Sequence, residues 1–135
     1  MKGINLMGTP SMIGYYNKED GSVTATYCHY DGYLAYNGRL LVESYNTPEK
    51  AKAVANAGYL SGLKADLYKS VVESVHTKPP VVYDSVGVFA RTGHNRCGAD
   101  YLYLFDGEAW FFINTAVKPK NRAFEEVEMN LENAN

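Results

Sequence analysis

The residues best suited to chemistry are two cysteines and the histidines near them. Cys28 directly precedes His29, and His94 lies three residues before Cys97. Thiolate and imidazole are ligands that zinc prefers, and zinc sites usually draw on pairs two to four residues apart. Only the second pair has that spacing, and a strand through Cys28 would point Cys28 and His29 to opposite faces. The pattern therefore favours a buried Cys28 and predicts no metal and no cofactor.

A nucleophilic site is a second interpretation of the same residues, with Cys28 activated by His29 or His94 and oriented by Asp31. The opposite faces of the strand again separate Cys28 from His29. The chain also carries no nucleophile-elbow motif. A cysteine late in a strand is more often a packing residue. The sequence therefore favours a protein without catalysis and leaves an enzyme open.

His29 and Asp31 form another arrangement, because residues two apart on a strand share a face. A carboxylate beside an imidazole fixes its tautomer, which suits a general base or an anchor for a ligand hydroxyl. Alternatively, Asp31 and Gly32 form a turn in which the carboxylate caps backbone groups. The turn is favoured, and both alternatives stay open.

A polar loop over residues 91–98 combines Arg91, His94 and Arg96 with two glycines. Arginine presents paired donors to phosphate or carboxylate, and glycine opens the backbone. The phosphate-loop pattern of two glycines and a lysine is absent. The loop is therefore a candidate anion or nucleotide site, or else an exposed loop with ordinary surface charge.

Tyrosine is the most prominent aromatic residue, with 12 Tyr against 5 Phe and 1 Trp. Its apolar ring and polar hydroxyl suit protein interfaces and base stacking, although some tyrosines will simply pack at core edges. The candidate binding residues combine the tyrosines of one segment with the polar groups above: Tyr27, His29, Tyr30, Asp31, Tyr33, Arg91, His94 and Arg96.

Composition limits the class of protein. The chain has 135 residues, of which 46 % are hydrophobic and 21 % charged, which fits one ordinary globular domain. A net charge of -2 argues against general nucleic-acid binding. No apolar run is long enough to be a signal peptide or to span a bilayer. Two cysteines allow at most one bridge, so we expect a cytoplasmic protein with free thiols.

The elements that must position these residues follow from turn signals and periodicity. Acidic residues before Gly21 and Gly107 predict the turns of two β-hairpins. Thr47 and Pro48 predict a helix start. Residues 64–76 fit either a helix or a strand, and their β-branched content favours a strand. Strands are predicted at 12–17, 22–29, 64–76, 81–83, 86–91, 100–105 and 109–115, and helices at 33–44, 48–57 and 124–133.

This order predicts an α+β fold. An antiparallel β-sheet built from two or more hairpins would carry one or two helices on one face, with a possible C-terminal helix. Residues 1–11 are expected to be a leader, 12–117 a single domain, and 118–135 a C-terminal tail or helix. Exposed tyrosine-rich edge strands favour a homo-oligomer.

Three segments resemble small accessory proteins of tailed bacteriophages and their prophages. Residues 27–33 read YCHYDGY, where the phage proteins carry a Tyr-Cys-His-aromatic-Asp-Gly-Tyr motif. Residues 17–23 read NKEDGSV, before the same strand, and residues 101–110 read YLYLFDGEAW, like a later strand of these proteins. The resemblance implies a phage origin and an accessory role, and it implies no reaction.

We therefore expect a phage accessory protein that binds and modulates a host component without catalysis, in the cytoplasm of the infected bacterium. The host component is a protein or a nucleotide-type ligand. Two alternatives stay open: a protein that binds or cleaves nucleotides, and a small virion-associated or assembly factor. No membrane partner is expected.

Overall fold

The computed structural model describes residues 8–95 and 97–133, so residues 1–7 of the expected leader lie outside the described residues. The fold is α+β, as predicted. Its strands are β1 (Ser11–Tyr16), β2 (Val23–Cys28), β3 (Tyr59–Leu60), β4 (Val81–Tyr83), β5 (Tyr101–Phe105), β6 (Trp110–Asn114) and β7 (Glu125–Glu126). Its α-helices are α1 (Arg39–Ser44), α2 (Pro48–Ala55), α3 (Leu67–Val72), α4 (Val86–Thr92) and α5 (Val127–Asn130).

Both predicted hairpins are confirmed. β1 pairs with β2, and β5 with β6, each in antiparallel register. The first turn is closed by Asp20, whose carboxylate accepts bonds from the backbone N and the hydroxyl of Ser22 at 3.0 and 2.7 Å. Gly21 follows at a φ of 80°, a conformation that favours glycine.

The expectation of a purely antiparallel sheet is wrong, because β1 runs parallel to β5 and β2 runs parallel to β3. The strand order is β3-β2-β1-β5-β6-β7, with β4 also pairing with β2. Turn residues fix the direction of strands only within a hairpin. The direction in which one hairpin meets the next depends on the long helical connection between them.

The expectation of helices on one face is also wrong, because helices cover both faces of the sheet. On one face, Ile13 and Tyr103 pack with residues of α1, α2 and α5. On the other face, Met12 and Leu102 pack with Phe89 of α4. Residues 86–91 were expected to be a strand. They form a helix because Ser85 caps its start, accepting from the backbone N of Val88 at 3.1 Å.

The predicted strand at 64–76 is wrong as well, since this segment contains α3. Asp66 caps the helix by accepting from the backbone N of Tyr68 at 2.9 Å. The predicted helix at 48–57 is confirmed over Pro48–Ala55, with Thr47 as its cap. The predicted helix at 33–44 begins as a π-helical turn over Leu34–Gly38 and continues as α1.

The C-terminal segment packs onto the domain. β7 pairs with β6, and Val127 of α5 is fully buried. A predicted helix at 124–133 is thus seen as a two-residue strand, α5 and a final 3-10 turn over Leu131–Asn133. Within the part of the chain that the structure describes, no helix is long and apolar enough to cross a bilayer.

Candidate binding cavity and exposed helix

A cavity of about 320 Å³ opens at the edge of the sheet where β2, β3 and β4 meet. We call it the tyrosine cavity. Parallel pairing of β2 with β3 sets Tyr27 opposite Tyr59 in register, so both rings reach it. Its full lining comes from Met12, Tyr27, Gly58, Tyr59, Lys78, Pro79, Val81 and Cys97. The volume lies at the lower end of the range for small-molecule sites.

The chain that returns from α3 to β4 crosses directly over Gly58. Gly58 has a φ of 92°, and a Cβ placed there would lie 1.7 Å from the carbonyl oxygen of Lys78. Any other residue would therefore meet both backbone strain and a steric clash. This close approach holds Lys78 and Pro79 over the mouth of the cavity.

The rings of the cavity are held by neighbouring polar and aromatic groups. The Tyr27 hydroxyl lies 2.8 Å from Nδ1 of His29. The Tyr27 and Tyr59 rings are tilted by 42° with their centroids 5.7 Å apart. His76 meets Tyr59 edge-on at 5.0 Å, and the Lys78 ammonium lies 5.7 Å from the centre of the same ring. The site is thus assembled before any ligand binds.

Burial raises the pKa values of the two acidic side chains in the cavity, Tyr27 and Cys97. Desolvation, followed by the nearby Cys97, raises the pKa of Tyr27 to about 12. Desolvation also raises the pKa of the Cys97 thiol. A thiolate is the reactive form of cysteine, so a protonated Cys97 is a poor nucleophile at neutral pH.

Cys28 lies on the opposite face of the sheet from this cavity and has no exposed surface. Desolvation raises the pKa of its thiol to about 12, and Asn37 donates to its sulfur at 3.4 Å. Cys28 and Cys97 therefore pack on opposite faces of the sheet. Among residues 8–95 and 97–133, no group of three or more His, Cys, Asp or Glu is placed to hold a metal ion.

Beyond Leu67, which packs against the core, helix α3 has an inverted distribution of polar and apolar side chains. Its buried side carries Ser70, only 1 % exposed, whose hydroxyl accepts from the backbone N of Lys64 at 2.9 Å. Ser74 follows on that side and accepts from the backbone N of Ser61 at 2.9 Å. The solvent side carries large apolar residues, with these exposures: Tyr68 74 %, Val71 46 %, Val72 60 % and, just past the helix, Val75 73 %.

Two hollows lie beside α3. One, of about 390 Å³, is lined by Tyr30, Asp31, Tyr36, Ser61, Gly62, Leu63, Lys64 and Glu73. The other, of about 460 Å³, is lined by Ser44, Tyr45, Glu49, Lys50, Ala53, Ala65, Asp66 and Leu67. A salt bridge of 3.4 Å between Lys64 and Glu73 closes one side of the first hollow.

The predicted residues Tyr30, Asp31 and Tyr33 belong to this first hollow or its border. Tyr30 and Asp31 line it, and the Tyr33 ring lies 6.3 Å from that of Tyr36. Asp31 has a φ of 60°, and the backbone N of the next residue, Gly32, donates to the carbonyl oxygen of Thr9 at 2.7 Å. The His29 ring instead contacts the side chains of Tyr27 and Tyr30. Asp31 lines the hollow beside α3, whereas His29 does not.

The predicted loop site is organised by a residue that the sequence analysis missed. Arg122 donates to the carbonyl oxygens of Ala90, Thr115 and Val117 at 2.8, 3.0 and 2.8 Å. It also donates to Nδ1 of His94 at 3.2 Å. Because a guanidinium only donates, that nitrogen of His94 is unprotonated. Burial and then Arg122 lower the pKa of His94.

Arg91 is exposed at the end of α4, and Arg96 lies outside the described residues. The structure therefore separates the predicted binding set. Tyr27 lines the tyrosine cavity, and His29 contacts its hydroxyl from outside the lining. Tyr30 and Asp31 line the hollow beside α3, and Tyr33 lies at its border against Tyr36. Arg91 and His94 contact Arg122. Tyr59 was missed because only the pairing of β2 with β3 brings it to Tyr27. Lys78 was missed because it reaches the cavity through the crossing of its backbone over Gly58.

The class defined by these observations is an α+β protein with a mixed seven-stranded sheet, a small aromatic cavity and an exposed apolar helix. Comparisons with known proteins add no relative: no family model, no curated protein and no solved structure matches the chain.

Proposed function

We propose that the chain is a phage accessory protein that binds and modulates a host protein without catalysis, in the cytoplasm of the infected bacterium. The observation that carries the proposal is the inverted helix α3, which buries serines and exposes tyrosine and valines. The phage part of the proposal is supported by the motif of residues 27–33.

Exposure of this kind favours a partner. Tyr68, Val71 and Val72 are spaced by three and four residues, so they share one side of the helix. Full burial of an aliphatic or aromatic side chain contributes roughly 1.5–3 kcal/mol of free energy. These three side chains are largely exposed, so most of that free energy becomes available only when another protein surface covers them. Anchors at this spacing are the mode by which a helix enters an apolar groove.

The surroundings of α3 suit a partner with a polar rim. Lys64, Lys69, Asp66 and Glu73 are exposed around the helix and are mixed in sign. A surface of this composition, an apolar centre bordered by balanced charge, is typical of protein interfaces. The partner we propose is therefore a host protein that presents an apolar groove, with its own projecting groups seated in the two hollows.

The absence of catalysis is supported by the protonated state of the thiols. The pKa values of Cys28 and Cys97 are both raised by desolvation, which leaves neither in its nucleophilic form at neutral pH.

The test places a photoreactive benzophenone side chain at position 68 and, as a control, at position 129. Met129 is 75 % exposed, nearly the same as Tyr68, but it lies on α5. After irradiation of infected cells, position 68 should give one discrete adduct with a host protein, position 129 should not, and Val72→Asp should abolish the adduct. An adduct with a second copy or a virion protein, or equal labelling from both positions, would overturn the proposal in favour of self-association, an assembly role or non-specific contact.

A further inference from the structure

We infer that the tyrosine cavity is a separate ligand site, and that it takes a mononucleotide-sized ligand consisting of an aromatic base and one phosphate. None of the residues that line the cavity belongs to α3, and the site does not depend on a protein partner. The inference rests on the shape, the charge and the rigidity of the cavity.

The shape favours a flat, partly apolar ligand. The walls are the Tyr27 and Tyr59 rings together with Met12, Val81 and Pro79. The two rings already contact each other at 5.7 Å, so a base would stack against an open face of this pair rather than enter between them. Stacking of a base on an aromatic side chain is worth roughly 1–3 kcal/mol and tolerates any base.

The charge favours an anion of low valence. Among the described residues that line the cavity, Lys78 is the one whose side chain is charged at neutral pH, because Tyr27 and Cys97 stay protonated. Asp100 acts on Tyr27 electrostatically but lies outside the lining. One ammonium at the mouth matches one phosphate, whereas a triphosphate would need several donors or a metal ion.

The rigidity of the site lowers the entropic cost of binding. Gly58, directly before β3, permits the backbone of Lys78 to lie close against it. The backbone that bears the Lys78 ammonium is therefore held in place. His29 fixes the Tyr27 hydroxyl, and His76 fixes the edge of Tyr59. A site formed before the ligand arrives gains affinity because fewer side chains must be ordered.

The cavity supplies its own reporter, since Cys97 lines it and Cys28 has no exposed surface. The experiment measures the rate at which N-ethylmaleimide modifies Cys97 in the full chain, read by peptide mass spectrometry. The four common nucleoside 5′-monophosphates are titrated against this rate. Adenosine and ribose 5-phosphate serve as the base without the phosphate and the phosphate without the base.

We expect nucleotides to slow the modification with saturation, and each fragment to bind at least about tenfold more weakly than the intact nucleotide. Lys78→Gln should weaken nucleotide binding about tenfold, as expected for loss of one charge-assisted hydrogen bond. The same variant should leave adenosine binding unchanged. Lys120→Gln, on the exposed 3-10 turn over Pro119–Asn121, is the matched control and should behave as the unaltered protein.

No protection at millimolar nucleotide overturns the inference. Protection by adenosine or by ribose 5-phosphate that equals the protection by the nucleotide also overturns it, because the site would then bind only the base or only the phosphate. An equal effect of the two lysine substitutions would show that the protein attracts anions in general rather than at this cavity. None of these results bears on the adduct formed from position 68, so the two proposals fail independently.

Discussion

The inverted arrangement of α3 predicts that a buried serine matters more for folding than an exposed valine on the same helix. The comparison is between Ser70→Ala and Val72→Ser. Ser70 is 1 % exposed, and its hydroxyl accepts from the backbone N of Lys64 and donates to the carbonyl of Asp66, both at 2.9 Å. Val72 is 60 % exposed.

The magnitudes follow from these environments. Ser70→Ala leaves the N–H of Lys64 without this acceptor, which costs about 1–3 kcal/mol, offset by about 0.5 kcal/mol of helix propensity. Val72→Ser loses the burial of two-fifths of a valine, about 0.6 kcal/mol, with little change in propensity. We therefore expect Ser70→Ala to reduce the free energy of unfolding more than Val72→Ser, by about 1 kcal/mol.

The assay is equilibrium unfolding in urea, followed by circular dichroism and by tryptophan fluorescence. Coincident transitions and equal slopes for both variants are needed, so that the midpoints report stability alone. If Val72→Ser proves as destabilising as Ser70→Ala, the valine side of α3 contributes to the fold. The exposure of these valines would then be explained without a partner.

Three further predictions test other parts of the structure. Phe89→Ala should cost about 3–5 kcal/mol in urea unfolding, because this side chain of α4 is fully buried against the sheet. A loss below about 1 kcal/mol would contradict the packing of α4 on the sheet. The pKa of His94 is lowered from 6.5 by burial and by Arg122, so the unfolded chain binds the proton more readily. Stability should therefore fall as the pH drops through 6.5, and less so in His94→Gln; identical pH profiles would refute the contact. Native alkylation should label Cys97 and spare Cys28, with both labelled in guanidinium; labelling of Cys28 without denaturant would contradict its burial.

The local features of the fold were predictable because they depend on neighbouring residues. The turn at Asp20 and Gly21 and the cap at Thr47 each rest on side-chain bonds to backbone groups two or three residues away. The parallel pairing of β1 with β5 was not predictable in this way. It results from packing of two distant hairpins, and no turn residue encodes it.

The candidate site was predicted in part for the same reason. Tyr27 lies on β2 and His29 directly follows the end of that strand, and the structure places the Tyr27 hydroxyl beside the His29 imidazole. Tyr59 and Lys78 reach the cavity through long-range pairing and through the crossing at Gly58, so sequence spacing gave no signal for them. Arg122 was overlooked because it lies in the segment that was expected to be a tail.

The wrong strand prediction for residues 64–76 and the proposed partner surface have one cause. Valines at 71, 72 and 75 suggested a buried strand, because β-branched residues are usually enriched there. In the fold, Asp66 starts a helix and serines hold its inner side, so the valines face solvent. A sequence that violates the usual rule for a surface helix is under some other constraint, and such violations concentrate at functional sites. Under the proposed function the exposed valines bind the partner, and Val72→Asp should then change binding far more than folding.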